Sequence, residues 1–354
     1  MSVTFGARAV GDGEPCFVTF EAGPTHDGLE SAKRLVSLAA EAGADAVKFQ
    51  VLDPDKLVAD RDMLFDYQVL IGRESGETET VSEPLYALIK RRSMEQEEWR
   101  ALKRHADDVG VAFFATAGFP EEIEFLAEIG CHSFKIASAD LNHFPLIRQA
   151  ARTGMCLQLD TGSSTIGEVE AAIEVIRAEG NENVIIHHCP SGYPARLEGI
   201  NLNIIKTLKA MFPYPVAFSD HSPGWDMDIA AVAIGANLIE KTITEDRTTR
   251  SIEHMFSIEP SDMARFIEAI RNTETAMGSV RRIMHPAEIA KRQMSRRSTY
   301  IEAPARAGER LSALQVSFRR PGDGVSPADY ERLADAVLKR DLPAGHCLSL
   351  SDLA

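Results

Sequence analysis

Val216-Ala-Phe-Ser-Asp-His221 decides the fold. A short apolar run ends there in residues able to do chemistry. The pattern recurs eight times within the first 245 residues, as Cys16–Ala22, Ala46–Val51, Ala112–Ala117, Ser133–Ala137, Cys156–Thr161, Val184–Cys189, Val216–Asp220 and Leu238–Ile243. The runs close in turn on Glu21; Lys48 and Gln50; Thr116; Lys135 and Ser138; Asp160 and Thr161; His188 and Tyr193; Asp220 and His221; Lys241 and Thr242. Polar groups gathered at one end of every strand read as a (β/α)8 TIM barrel, whose active face is built from the C-terminal ends of its strands.

The runs are rich in Val, Ile and Phe and mostly lack alternation, as strands buried on both faces should. Amphipathic segments lie between them: Leu29–Ala42, Glu95–Val109, Glu121–Ile129, Ile166–Ala178 and Asn203–Met211. Alternating strand and helix predicts parallel pairing with right-handed crossovers. A doubly wound open sheet is the alternative; eight units of similar length favour closure. Leu52–Ser93 is too long for a plain βα loop and predicts a lid or side excursion at the active face. The barrel is expected over 1–280, a basic linker over 281–297, and a small domain over 298–354 with short strands and the turn Pro321-Gly-Asp-Gly324.

The net charge of −15 argues against nucleic acid and against an anionic membrane surface. The longest nearly apolar stretch, around Ala230–Ile239, is far too short to span a bilayer. Five scattered cysteines without a CxxC pair, and no secretory pattern at the start, predict buried thiols and a cytoplasmic protein.

Several segments carry candidate chemistry. Glu21-Ala-Gly-Pro-Thr-His-Asp-Gly28 would aim Glu21 into the barrel mouth, with glycines for the tight turn; a capped turn is the structural reading of the same residues. Lys48 and Lys135 each interrupt a run headed for the interior. A buried lysine without a partner is costly, so two of them imply an anionic ligand, a structural ion pair being the alternative. A Schiff-base lysine is a further chemistry open to a barrel. His188, His221 and His26 fall at strand ends or active-face loops, where imidazole can bind a divalent metal.

Read together, these segments resemble the sialic acid synthase family. The landmarks are Glu21 to Gly28, Lys48-Phe-Gln50, Phe134-Lys-Ile-Ala-Ser138, Thr161-Gly162, His188-Cys to Tyr193-Pro, Phe218-Ser-Asp-His221, Glu240-Lys241, Met255 to Pro260 and Arg320-Pro-Gly-Asp-Gly324. The resemblance implies condensation of phosphoenolpyruvate with an N-acylated hexosamine such as N-acetylmannosamine. The product would be a nine-carbon 2-keto acid: N-acetylneuraminate, or legionaminate or pseudaminate. It implies an antifreeze-like (SAF) C-terminal domain that crosses to the partner barrel of a homodimer, bringing Arg320 to the partner's site. It assigns Lys48, Thr116, Lys135 and Ser138 to the phosphoenolpyruvate pocket, Ser219 and Tyr193 to its lining, Gln50 to the amino sugar and Glu21 as an essential carboxylate. Thr161, His188, Ser191, Lys241 and Glu253 are counted with the substrate contacts, and His221 as one of two histidines that hold manganese or magnesium.

Departures from the family pattern cluster at the sugar and metal sites. Thr242 stands where the second metal histidine usually follows Glu-Lys, and a hydroxyl is a poor partner for imidazole at manganese. His254 is the candidate substitute. Glu253 replaces an aspartate, Ser191 an asparagine, Asp160 a serine and Thr25 an asparagine. A Schiff-base aldolase and a non-catalytic family member that lost its metal are the rival readings.

Overall fold

A computed structural model describes all residues, Met1–Ala354. They divide into two compact units, Met1–Gly278 and Ser279–Ala354. The chain opens with an antiparallel hairpin, β1 (Ser2–Phe5) and β2 (Arg8–Gly11). Barrel strands follow as β3 (Phe17–Glu21) and β4 (Ala46–Gln50). A second hairpin, β5 (Leu64–Leu70) and β6 (Thr78–Pro84), interrupts them. The barrel resumes with β7 (Ala112–Thr116), β8 (Ser133–Ile136), β9 (Cys156–Asp160), β10 (Val184–His188), β11 (Val216–Asp220) and β12 (Leu238–Thr242). These eight strands pair in parallel and close on themselves, β12 against β3. Closure excludes the open doubly wound sheet.

Every barrel strand is buried on both faces, and the two faces differ. Val18, Phe20, Val47, Phe49, Phe134, Phe218 and Ile239 pack outward on the helices. The residues between them point inward. The lower interior is apolar: Phe17, Ala46, Phe114, Cys156, Ile185, Ala217 and Leu238 are plugged by Val3, Phe5 and Val10 of the first hairpin. Phe5 stacks on Phe17 at 4.7 Å and meets Phe114 edge-on at 5.1 Å. The sequence reading assigned nothing to this hairpin. Because it seals the lower end, the polar upper interior opens only toward the C-terminal ends of the strands.

The helices form where amphipathic spacing places them. Leu29–Ala42 and Ile166–Ala178 match the expectation to the residue. The second begins in a capping box: Glu168 accepts the Thr165 N–H at 2.7 Å while the Thr165 hydroxyl accepts the Glu168 N–H at 3.3 Å. The excursion Leu52–Ser93 holds the second hairpin and two short helices. Tyr67 and Val69 pack on Ile252, and Leu70 packs on Met255 and Phe256. It therefore clamps the loop that follows β12, at the active face.

The second unit pairs β13 (Ser298–Ile301) with β14 (Val316–Arg319) around a small core that includes Ile301, Leu311, Leu338 and Leu348. Within the expected linker, Pro286–Ser295 is a helix, and the whole segment from Ser279 belongs with the second unit. All five cysteines are free. No helix is long and apolar enough to cross a membrane.

Candidate active site

The inward residues above the apolar plug are charged. Glu21 and Lys48 are register partners on β3 and β4, and Lys48 donates to Glu21 and, at 3.1 Å, to Glu240 of β12. Lys135 of β8 is fully buried and donates to Glu240 at 2.7 Å, with Asp160 2.9 Å away. Ser219 of β11 donates to Glu240 at 2.9 Å. Glu240 thus sits between two ammonium groups and a hydroxyl. Burial alone would raise its pKa, but Lys135 and Lys48 hold it well below the carboxylate range. Burial pushes Glu21 and Asp160 up despite their lysines. Lys48 loses solvation too, yet Glu21 and Glu240 hold its pKa well above the usual lysine value.

His187 of β10 completes the ring. It bonds Gln158 at 2.8 Å and approaches Lys135 at 3.3 Å, and burial together with Lys135 keeps it well below the ordinary imidazole value. It is a neutral wall residue. Gly23 fixes the Glu21 carboxylate: its N–H donates at 2.6 Å, and a Cβ there would lie 2.6 Å from that oxygen and 2.8 Å from the Gln50 backbone. Gly162 acts likewise, since a Cβ would lie 2.7 Å from the Ser138 hydroxyl that its N–H reaches at 3.0 Å.

Of the sequence-predicted residues, Glu21 meets Lys48, Lys135 meets Ser219, and Glu240 joins the two pairs; Thr116 is register partner of both Gln50 and Lys135. Ser138 lies at the rim. The Thr161 hydroxyl is spent on the His187 carbonyl at 2.8 Å, and Ser191 bonds Ser163 at 2.8 Å. Tyr193 stands 5.0 Å from His221, ring to ring, and the His221 Nδ1 faces the Pro190 carbonyl at 3.4 Å. The register that pairs Asp220 with Lys241 sets His221 beside Thr242. Glu253, in the left-handed region at φ 69°, accepts the Thr242 hydroxyl at 3.2 Å. Arg320 belongs to the second unit.

Three expectations are corrected. Lys241 points outward: it pairs with Asp220, lies 3.6 Å from Asp228 of the helix Asp226–Ala233, and donates to the Ser222 carbonyl at 2.6 Å. His188 also points outward, stacked on Phe218 and bonded to the Ile200 carbonyl at 2.5 Å. Neither reaches the interior, because each is one residue out of phase with the inward set. His254 turns its Nδ1 to Thr244 at 2.7 Å and lines a different cavity, away from Thr242. The residues that sequence reasoning passed over, Glu240, His187 and Gln158, carry the right phase. Counting by two along each strand finds them: back from Thr242 to Glu240, forward from Ile185 to His187, and back from Asp160 to Gln158.

No three His, Cys, Asp or Glu side chains gather closely enough to hold a metal ion by themselves. The donor set around His221 is one imidazole whose other nitrogen faces a carbonyl, with oxygens from Thr242 and Glu253 nearby; its chemistry suits a hard, oxygen-loving cation, not a soft one.

Comparison with known proteins follows the same lines. Residues 35–282 match the NeuB family. The chain is 32% identical over 348 residues to the N,N'-diacetyllegionaminic acid synthase of Legionella pneumophila, covering 97% of this chain and 96% of that protein. It is 31% identical over 336 residues to the human N-acetylneuraminate-9-phosphate synthase, covering 92% and 89%. Among solved structures, the N-acetylneuraminic acid synthetase of Leptospira borgpetersenii, in complex with citrate, superposes with a TM-score of 0.71 at 29% identity, over 82% of this chain and 95% of that one.

Proposed function

The chain belongs to the NeuB family of acid synthases, and from that premise we propose that it condenses phosphoenolpyruvate with the open-chain form of an N-acylated hexosamine, giving a nine-carbon 2-keto acid and phosphate. The observation that carries this reading is the pair of buried lysines, Lys48 and Lys135, bridged by Glu240 inside an otherwise sealed barrel. Two ammonium groups so placed neutralise the carboxylate and phosphate of a small trianion where water is scarce.

Carbon 3 of phosphoenolpyruvate bonds to the aldehyde carbon of the sugar. Positive charge develops at carbon 2, water adds there, and phosphate leaves with the original enol oxygen. Glu21, its pKa raised by burial and its carboxylate held by the Gly23 N–H, takes the proton of the attacking water. Glu240 keeps the two lysines in place, and Gln50 and Glu253 face the sugar. His221 would hold a manganese or magnesium ion, with further oxygens from water and substrate. Such an ion, when bound, supplies Lewis acidity at the aldehyde oxygen. A second copy of this chain is the partner, contributing Arg320.

The test is phosphate release from phosphoenolpyruvate against a panel of N-acylated hexosamines, with and without manganese, and mass spectrometry of the product. Release that depends on the sugar, with a nine-carbon keto acid formed, is expected. A chain that releases no phosphate with any acylated hexosamine, metal supplied, overturns the reading.

A further inference from the structure

Asp160 is the one charged residue of the polar barrel interior that the condensation leaves without a task. It ends β9, and its register partner on β10 is His187. The residue is only 8% exposed. Its Oδ1 is sealed from solvent and accepts no hydrogen bond, although it lies 2.9 Å from the Lys135 ammonium. The other carboxylates of the interior are held in place. Glu240 takes Lys48, Lys135 and Ser219, and Glu21 takes Lys48 and the Gly23 N–H. Asp160 stands where the resemblance places a serine, so this carboxyl is an addition to the site.

The groups around Asp160 come from several strands. Lys135 of β8 and Lys48 of β4 are cationic, and Glu240 of β12 is anionic. His187, 3.8 Å away, and His221, past the end of β11, are kept below the ordinary imidazole value by burial. Burial also pushes the Cys189 thiol and the Tyr193 phenol up, so both stay neutral. With Asp160 ionised, Glu21, Glu240 and Asp160 would set three carboxylates against two ammonium groups before any substrate arrives. Phosphoenolpyruvate, itself a trianion, adds to the excess. Burial raises the Asp160 pKa despite Lys135, and Glu240 adds to the rise. Of the three carboxyls it has the fewest partners for its ionised form. It is therefore the one that takes a proton when the anion enters.

We propose that Asp160 is a general acid of the condensation, delivering a proton to the ester oxygen of the departing phosphate from its place beside Lys135. The inference rests on the condensation reading for the reaction, and on the position of Asp160 for the acid. After water has added, carbon 2 carries a hydroxyl, the carboxylate and the phosphate ester. The bond from carbon 2 to the ester oxygen breaks, and its electron pair stays on that oxygen. The oxygen takes the Asp160 proton, and phosphate leaves as the hydrogen phosphate dianion. The O–H electron pair of the hydroxyl becomes the second bond of the ketone, and the hydroxyl proton returns to the Asp160 carboxylate. The proton that Glu21 took from the water goes to the alkoxide formed from the aldehyde. Nothing is oxidised or reduced, and both carboxyls end as they began.

The test compares the full chain with Asp160→Asn, Asp160→Ser and Asp160→Glu across pH, with metal supplied. Asp160→Asn keeps the size and removes the acid. In calorimetry it should bind phosphoenolpyruvate at least as well as the parent, because a negative charge is gone, and without proton uptake. Its kcat at saturating substrates should fall roughly a hundredfold or more. A general acid works protonated, so the parent's kcat should decline as pH rises through the Asp160 pKa in the complex. Asp160→Asn should lack that alkaline limb. Rapid quenching with phosphorus NMR should show the carbon 2 phosphate adduct building up in Asp160→Asn. Asp160→Ser, smaller and equally unable to ionise, should behave the same way, and Asp160→Glu should restore part of the rate and of the limb. A carboxyl that only anchors Lys135 gives another picture, with weaker phosphoenolpyruvate binding in Asp160→Asn and an intact alkaline limb. That result, or full kcat in either Asp160→Asn or Asp160→Ser, overturns the proposal. Parent turnover that these variants leave untouched sinks the acid and keeps the condensation. A parent that releases no phosphate with any acylated hexosamine sinks the condensation itself.

Discussion

Lys241→Met separates a structural lysine from a ligand-binding one. Lys241 is fully buried among Asp220, Asp228 and the Ser222 carbonyl, between β12 and the helix Asp226–Ala233. Asp220 keeps one oxygen on the Ser222 N–H at 2.9 Å and hydroxyl at 2.7 Å, but its other oxygen depends on Lys241. The Asp228 carboxyl is held well above the carboxylate range by burial and by Asp220, despite Lys241, so it adds no second full charge when the lysine goes. Removing one partner of a buried pair costs about 3–5 kcal/mol. For a barrel of this size that lowers the thermal midpoint by roughly 5–9 °C. Circular dichroism melting reads the loss, and adding Asp220→Asn to Lys241→Met should recover part of it. The KM for phosphoenolpyruvate and for sugar, measured well below the variant's midpoint, should be unchanged. A variant that melts like the parent but binds either substrate worse would refute the outward placement.

Lys48→Met and Lys135→Met should each weaken phosphoenolpyruvate by about 1.5–3 kcal/mol in direct binding, the value of a charge-assisted contact; unchanged affinity in both removes them from the pocket. Because burial raises Asp160, and Lys135 is shared with it, phosphoenolpyruvate should bind with proton uptake that grows as pH rises above the ordinary carboxylate range. Calorimetry in buffers of different ionisation enthalpy reads this, and proton release on binding would contradict it. His221→Ala should abolish manganese binding measured by electron paramagnetic resonance, and Thr242→His should tighten it; a Thr242→His chain with unaltered metal affinity argues against the neighbouring geometry. Mixing inactive Glu21→Ala and Arg320→Ala chains should restore some activity, and none after verified subunit exchange would deny that Arg320 serves the partner.

The strands were legible because each is a bounded apolar run, and the long helices because their apolar stripes have one phase. The landmarks Glu21, Lys48 and Lys135 were legible because a charge inside an apolar run is expensive and therefore conspicuous, and His221 because it directly follows such a run. What the sequence alone determined is thus the order of the barrel strands and the long helices between them, their parallel pairing, and the end of the strands that carries the chemistry. It did not determine which of two adjacent polar residues faces the interior. His187 and His188, or Glu240 and Lys241, look alike in a strand buried on both sides, since hydrophobic alternation is missing there. Closure decides it. Once β12 pairs with β3, Thr242 and Glu21 are aligned, Glu240 joins them inside, and Lys241 is turned out to Asp228. The cavity that His254 lines, around Arg92, is also a product of tertiary structure alone. His26, Arg92 and Ser251 come from three distant stretches of chain, and no local spacing connects them. Only the packing of the excursion on the loop after β12 brings a buried guanidinium beside a buried imidazole with nothing to neutralise it.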